Sequence, residues 1–497
     1  MTTISPSAER TALDAVPTQL FIGGEWREAS GGGTLPVEDP STGETLAEVP
    51  DATVEDGKAA LAAADEAFND FRHVPPRDRG EILRRAYELM IERVDELALV
   101  MTLEMGKPLP EARGEVLYAA SYFRWYAEEA VRINGRFQVA ENGASRVLTM
   151  EQPVGPCLFI TPWNFPLAMG TRKVGPAIAA GCTSVVKPAK QTPLSMLSMA
   201  RILEEAGLPG GVVNVITARS SGELMEPLIR DARARKLSFT GSTAVGKKLV
   251  EQASNQLLRM SMELGGNAPF LVFEDADLDL AVEGALLAKI RNGGEACTSA
   301  NRFVVHESVA GEFSRRLAER MGALRVARGT EPGSQVGPLI DQAAIDKVKE
   351  LVDDAVGKGA AVLTGGEPLG ERGYFFRPTV LGDVPEGADL VREEIFGPVA
   401  PITTFSGEDQ AIAMANDTEY GLVAYLFTEN VSRAFRVMEA LETGMIGFNQ
   451  GLVSNAGAPF GGVKQSGYGR EGGPEGLREY LETKYVALNL SGRPAAL

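Results

Sequence analysis

From residue 154 to 264 the chain alternates short apolar runs with stretches of helical period. The runs at 155–161 (GPCLFIT), 182–187 (CTSVVK), 212–216 (VVNVI), 236–240 (KLSFT) and 257–264 (LLRMSMEL) predict strands. The stretches 166–180, 193–206, 223–232 and 242–254 predict helices between them. Pro193 sits where a helix begins, with Thr192 as its cap, and Gly207 where that helix ends. Strand alternating with helix predicts βαβ units and a parallel sheet. A second α/β region spans 264–465, with helices expected at 278–290, 309–324 and 343–356. Upstream, 54–71 and 79–105 predict amphipathic helices that pack on the first domain. The segments 137–152 and 480–490 read as strands belonging to neither domain, and such outlying strands often pair with another subunit.

At 497 residues the chain is long enough for two domains or more. No run of about 18 apolar residues occurs, so no transmembrane helix and no membrane partner is expected. The N-terminus is polar and acidic, which predicts a loose arm rather than a signal peptide. The three cysteines, Cys157, Cys182 and Cys297, are unclustered; they offer no disulfide framework and no metal site, and suit a cytoplasmic location. A net charge of −18, with no basic stripe, argues against a nucleic-acid partner. An anionic small substrate would need a local arginine site.

The stretch RNGGEACTSANR, 291–302, sets Cys297 among small and polar residues behind paired glycines, as a nucleophile would require. Only two histidines, His73 and His306, are available, so an imidazole base is improbable by number alone. Cys157 and Cys182 fall in apolar strands and read as core thiols. The usual GxGxxG is missing from the place the sheet needs it. Phe239–Gly246 (FTGSTAVG) instead puts small residues and Ser242 at a helix start, which suits a phosphate or a simple Gly-Ser cap equally. Lys187 and Lys190 in KPAKQTP follow the second strand, where ligands bind in open parallel sheets, although an isolated lysine is usually just solvated.

Taken together, TPWNFP (161–166), FTGSTAVG, MELGG (262–266), Cys297 and EEIFGP (393–398) resemble the aldehyde dehydrogenase superfamily in order and spacing, over nearly the whole chain. Within it, ELGGNAPFLVF, the arginine ahead of the Cys297 loop and the tail SNAGAPFGGVKQSGYGREGG are most similar to the bacterial succinate-semialdehyde dehydrogenases, though relatives acting on other semialdehydes share much of this. The resemblance implies an α/β aldehyde dehydrogenase-like fold. It would comprise a variant Rossmann dinucleotide-binding domain (1–134 and 154–262), an α/β catalytic domain (263–465) and a bridging, oligomerisation element (135–153 and 466–497). It also implies a homodimer or homotetramer.

The same resemblance assigns roles. Cys297 adds to the aldehyde carbonyl; Asn164 and the Cys297 backbone N–H donate to the oxyanion. Glu263 activates the water that cleaves the thioester, so the base is a carboxylate; relatives that pass the acyl group to coenzyme A generally lack it. Lys173 assists proton movement or is structural. The cofactor is expected on Thr161, Pro162, Trp163, Lys187, Ala189, Lys190, Gly241, Ser242, Gly246 and Leu264, with Glu394 and Phe396 at the nicotinamide ribose and ring. Many NAD-using relatives have glutamate where this chain has Lys190, so NADP is expected, with NAD as the alternative. Arg172, Arg291 and Ser454 match the carboxylate-holding residues of the succinate-semialdehyde relatives. Arg172 lies eight residues past Asn164, about 80° beyond two full helical turns, and so is expected to face the cleft. The substrate is then a small anionic semialdehyde: succinate semialdehyde, or glutarate semialdehyde with one more methylene. Ser299 replaces the second cysteine of some relatives, so no active-site disulfide switch is expected. Glu295 stands where many relatives have glutamine and is expected to raise the thiol's pKa. Three rivals remain: a thiol hydrolase, which would need a histidine near Cys297; a non-catalytic relative; and a dehydrogenase of neutral aldehydes.

Overall fold

The computed structural model describes residues 4–489. Its first sheet has eight strands, in the order Glu25–Arg27, Leu20–Ile22, Val213–Val215, Ser184–Lys187, Cys157–Ile160, Lys236–Thr240, Arg259–Glu263 and Gly467–Tyr468. The five central strands are parallel. They are buried on both faces because side chains alternate: Cys157 and Phe159 join one apolar cluster, Leu158 and Ile160 another. Successive strands run outward from Cys157–Ile160 to one side and then resume on the other, at Lys236–Thr240. That reversal opens a crevice beyond the carboxyl ends of these two strands, which lead directly into Thr161–Asn164 and Gly241–Ser242.

The second sheet has seven strands, in the order Ala361–Thr364, Thr379–Gly382, Val399–Phe405, Ala300–His306, Ala268–Val272, Val423–Phe427 and Met445–Phe448. A third, antiparallel sheet joins Leu481–Leu488, Arg146–Pro153 and Phe137–Val139. The architecture is α/β with two main sheets, as the resemblance implies.

Several boundaries differ from the sequence reading. The expected helix at 79–105 is two, Pro76–Glu92 and Val94–Met105, broken at Arg93 (φ −109°, ψ 20°). The Arg93 guanidinium leaves the helix surface to pair with Glu205. The expected strand at 137–152 turns back on itself at Gly143, whose φ of +73° suits a residue without a side chain. The tail was expected to bridge from 466 onward. Instead Gly467 approaches Met262 so closely that a Cβ would lie 1.9 Å from its carbonyl oxygen, and residues 467–468 close the edge of the first sheet. Residues 1–3 and 490–497 of the expected domains lie outside the described residues.

Candidate active site

The thiol loop follows the Leu278–Ile290 helix through three left-handed residues, Asn292 (φ +57°), Gly293 (+63°) and Gly294 (+80°). At Gly294 a Cβ would sit 2.2 Å from the Gly397 carbonyl oxygen, so this glycine lets the loop lie against EEIFGP. Cys297 then lines a cleft of about 370 Å³ together with Trp163, Asn164, Glu263, Glu394 and Phe396. Burial pushes the Cys297 thiol up to about 12; Arg172 and Arg291 pull it down, and Glu394 and Glu263 push it further up. Burial thus favours the thiol over the thiolate. Glu295 was expected to raise it, but its carboxylate points elsewhere: Oε1 accepts the Ile340 N–H at 3.0 Å.

Asn164 ends the turn after the first parallel strand. Its Nδ2 donates to the Glu295 carbonyl at 3.0 Å, which leaves one amide hydrogen unused. Glu263 ends a neighbouring strand and is 2% exposed, and neither carboxylate oxygen has a hydrogen-bond partner in the protein. Burial holds its carboxyl well above the ordinary range; Glu471 adds to that, and Arg172, Lys173 and Arg470 oppose it. Next to it, at Gly461, a Cβ would fall 2.9 Å from Oε1, so the missing side chain leaves space at the carboxylate.

The structure separates the two arginines that the sequence paired. Arg291, half-buried, donates from Nη1 to Ser454 Oγ at 3.2 Å and lies 4.8 Å over the Phe165 ring. Both Arg291 and Ser454 line a second cavity of about 840 Å³, bounded also by Lys107, Tyr118 and Phe165. Arg172 lines neither this cavity nor the cleft. Its guanidinium, 1% exposed, is 2.5 Å from Glu471 and stacks 3.9 Å over Phe460. Lys173 is equally committed, with Nζ on Glu471 at 2.5 Å, Thr240 at 2.8 Å and Ser238 at 3.0 Å. Sequence reasoning missed Glu471, since nothing in its GREGG context marks it as the counter-ion of two consecutive residues on a distant helix.

The residues expected to hold a cofactor gather along the crevice. Pro162, Trp163, Gly241, Ser242, Leu264, Glu394 and Phe396 line the cleft. Thr161, Lys187, Ala189 and Gly246 do not line it. The Thr161 Oγ is buried without a partner. The Thr243–Ala253 helix begins at Ser242 with no side-chain cap, so its first N–H groups are open to an anion. At Gly246 a Cβ would meet Leu264 Cδ2 at 2.5 Å. Lys187 contacts the Ser221 hydroxyl and is pushed down to about 8 by burial and by Lys190. Glu394 accepts the Gly266 N–H at 3.1 Å and is pushed up to about 7 by burial. Phe396, at φ +57°, sets its ring edge-on to Trp163 with centroids 5.5 Å apart. Further along, exposed Lys190 lines a cavity of about 230 Å³ with Arg219, a cation the sequence reading did not single out. Open helix N–H groups, unpartnered Thr161 and a run of cations fit a dinucleotide. Among the described residues no helix is long and apolar enough to cross a membrane.

Residues 26–486 match the model of the aldehyde dehydrogenase family. A succinate-semialdehyde dehydrogenase of Paenarthrobacter nicotinovorans is 58% identical over 89% of this chain and 98% of its own length. A glutarate-semialdehyde dehydrogenase of Pseudomonas putida is 49% identical over 95% of this chain and 98% of its own length. The crystal structure of an NADP-dependent enzyme of E. coli is similar with a TM-score of 0.95 at 48% identity, covering 96% of this chain and 99% of that one.

Proposed function

The chain belongs to the aldehyde dehydrogenase family, and from that premise we propose that it oxidises succinate semialdehyde to succinate, with NADP as the preferred cofactor. Arg291 carries the substrate reading. It is a half-buried guanidinium bonded to the neutral Ser454, six residues before the thiol, in the wall of the cavity that Phe165 borders. A short ω-carboxylate can take its fork of donors, and the Arg291 charge also acts on the Cys297 thiol.

In this mechanism Cys297 Sγ bonds to the carbonyl carbon as its proton passes to a base, for which the carboxylate of Glu263 stands in the same cleft. The unused Asn164 amide hydrogen and the Cys297 N–H donate to the oxyanion that forms. A nicotinamide held beside Glu394 and Phe396 in this cleft would supply the hydride acceptor. Once that proton has passed to solvent, Glu263 removes a proton from water, whose oxygen attacks the thioester carbon; the C–S bond breaks, the acid leaves, and the proton returns to the Cys297 sulfur. Lys173, held by three partners, stays in place as part of the Glu471 cluster.

Lys190 and Arg219 support the cofactor preference, since both are exposed cations beside one cavity near the open end of the crevice. A 2′-phosphate would gain about 1–3 kcal/mol from such a site, roughly 5- to 150-fold in affinity. Glutarate semialdehyde is the second reading, favoured by the Pseudomonas putida relative; one methylene is worth only about 1–3 kcal/mol.

The test is kcat/KM for succinate, glutarate and neutral aldehydes with NADP+ and NAD+. Arg291→Ala is expected to cost about 100-fold on the acidic aldehydes and little on neutral ones. Arg172→Ala, which leaves Glu471 underpaired, is expected to slow all aldehydes alike. Lys190→Glu is expected to turn the preference toward NAD+. Preference for neutral aldehydes in the parent, or an Arg291→Ala variant that keeps its acid preference, would sink the substrate reading.

A further inference from the structure

The Leu109–Glu129 helix lines the Arg291 cavity with Tyr118, and its first turns touch both halves of the site. Glu111 and Glu115 lie four residues apart, on one helix face. Glu115 Oε1 accepts the N–H groups of Leu167 at 3.1 Å and Ala168 at 3.2 Å, at the start of the helix that follows Asn164. Its other oxygen pairs at 2.5 Å with Lys107 Nζ, and each side chain is 1% exposed. Lys107 Nζ also donates to the Asn164 carbonyl at 2.8 Å and lies 4.2 Å over the Phe165 ring. Glu111 Oε2 accepts the Asn292 N–H at 2.7 Å, in the thiol loop. Asn292 Nδ2 closes the circuit, donating at 3.0 Å to the carbonyls of both Asn164 and Glu295.

Asn164 extends from the first sheet and Cys297 from the loop leading into the second, and no strand pairing joins these sheets among the described residues. We propose that Lys107, Glu111 and Glu115 are positioning residues that fix the oxyanion donor Asn164 against the Cys297 loop. Lys107 and Asn292 hold the Asn164 backbone carbonyl, while the Glu295 carbonyl holds one hydrogen of its amide. Only the second hydrogen is then left to meet the developing charge. Glu111 holds the opposite end by tying down Asn292, whose left-handed φ begins the turn into the thiol loop. Burying an ion pair gains little stability over apolar packing, so orientation is the more direct use of this one. The proposal rests on the thiol chemistry above and not on which aldehyde is taken.

The experiment compares Glu111→Ala and Glu111→Gln on every aldehyde that the parent oxidises. Displacing a reacting group by about 1 Å costs on the order of 100-fold. In Glu111→Ala, kcat should fall about 10- to 100-fold on all of them, with KM for neutral aldehydes and Kd for NADP+ within about twofold. Glu111→Gln keeps an acceptor for Asn292 and should recover to within about threefold. Alkylation of Cys297 by iodoacetamide should proceed at the parental rate in both. Unchanged kcat in a folded Glu111→Ala variant, a loss confined to KM, or no recovery with glutamine would overturn the proposal. Should Glu111→Ala fail to fold by circular dichroism, Lys107→Arg decides. It keeps the pair with Glu115 but moves the donor off Asn164, and unchanged kcat there overturns the idea as well. A parent that prefers neutral aldehydes would remove the substrate reading and leave this one standing.

Discussion

Two acids of the cleft compete for protons, and their environments set how the rate should depend on pH. Cys297 is pushed up to about 12 and Glu263 well above the ordinary carboxylate range, both chiefly by burial. In the proposed mechanism the working form of Glu263 is the charged one, so its share grows as pH rises through the raised value. Turnover should therefore climb with pH from the mildly acidic side upward, and Glu263→Gln should abolish that limb. The same variant should lower steady-state turnover by about 100-fold or more while a first-turnover burst of reduced cofactor survives, because hydrolysis of the thioester suffers most. Stopped-flow absorbance at the reduced nicotinamide band reads both; a pH-independent parent rate contradicts this assignment of the base. That Cys297, Asn164 and Glu263 share one cleft was legible in the sequence because each sits in a short motif fixed at a strand end or glycine turn. Arg172 was not. Helical angle gives the direction of a side chain but not what occupies that direction, and here Glu471 does. Lys107 and Glu115 left no signal either, since a buried ion pair looks in sequence like two surface charges.

At the level of elements, the alternation of apolar runs predicted the central parallel strands within a few residues, because burial on both faces demands unbroken apolar segments. Breaks inside helical stretches were harder to see. The joint at Arg93 has no proline or glycine to mark it; there the guanidinium pairs with Glu205, from a helix far along the chain. The thiol loop is the opposite case, where NGG announces a turn and the structure uses all three residues in left-handed conformations. Gly294 is the most constrained of them, since a Cβ would meet the carbonyl oxygens of Gly397 at 2.2 Å and Lys289 at 3.1 Å. Gly294→Ala must part the thiol loop from the segment that carries Glu394 and Phe396. It should destabilise the protein by about 1–3 kcal/mol and, more tellingly, raise KM for NADP+ while lowering kcat. Differential scanning fluorimetry and steady-state kinetics check the two effects; wild-type kinetics would show that the loop tolerates the shift.

For the whole molecule, the outlying three-stranded sheet raises a question of partners. Phe137 is 61% exposed, Val139 55% and Tyr485 60%, and the outer edges of Phe137–Val139 and Leu481–Leu488 have no strand neighbour among the described residues. Open edges bearing large apolar side chains invite pairing, and the expected occupant is a second copy of this chain. Each copy carries a net charge of −18, so two copies repel at long range while the sheet faces attract at contact. Salt acts on these two forces differently. The repulsion is screened beyond about 8–10 Å at physiological ionic strength, whereas apolar contact is not weakened. Association should therefore strengthen from low to moderate salt, the reverse of what an interface built on ion pairs would do. Phe137→Ser with Tyr485→Ser should shift the mass toward the monomer by light scattering. The two sites of chemistry lie in the main sheets, so the variant should still bind NADP+. An unchanged mass in that variant, or an assembly that falls apart as salt is added, would place the interface on another face of the molecule.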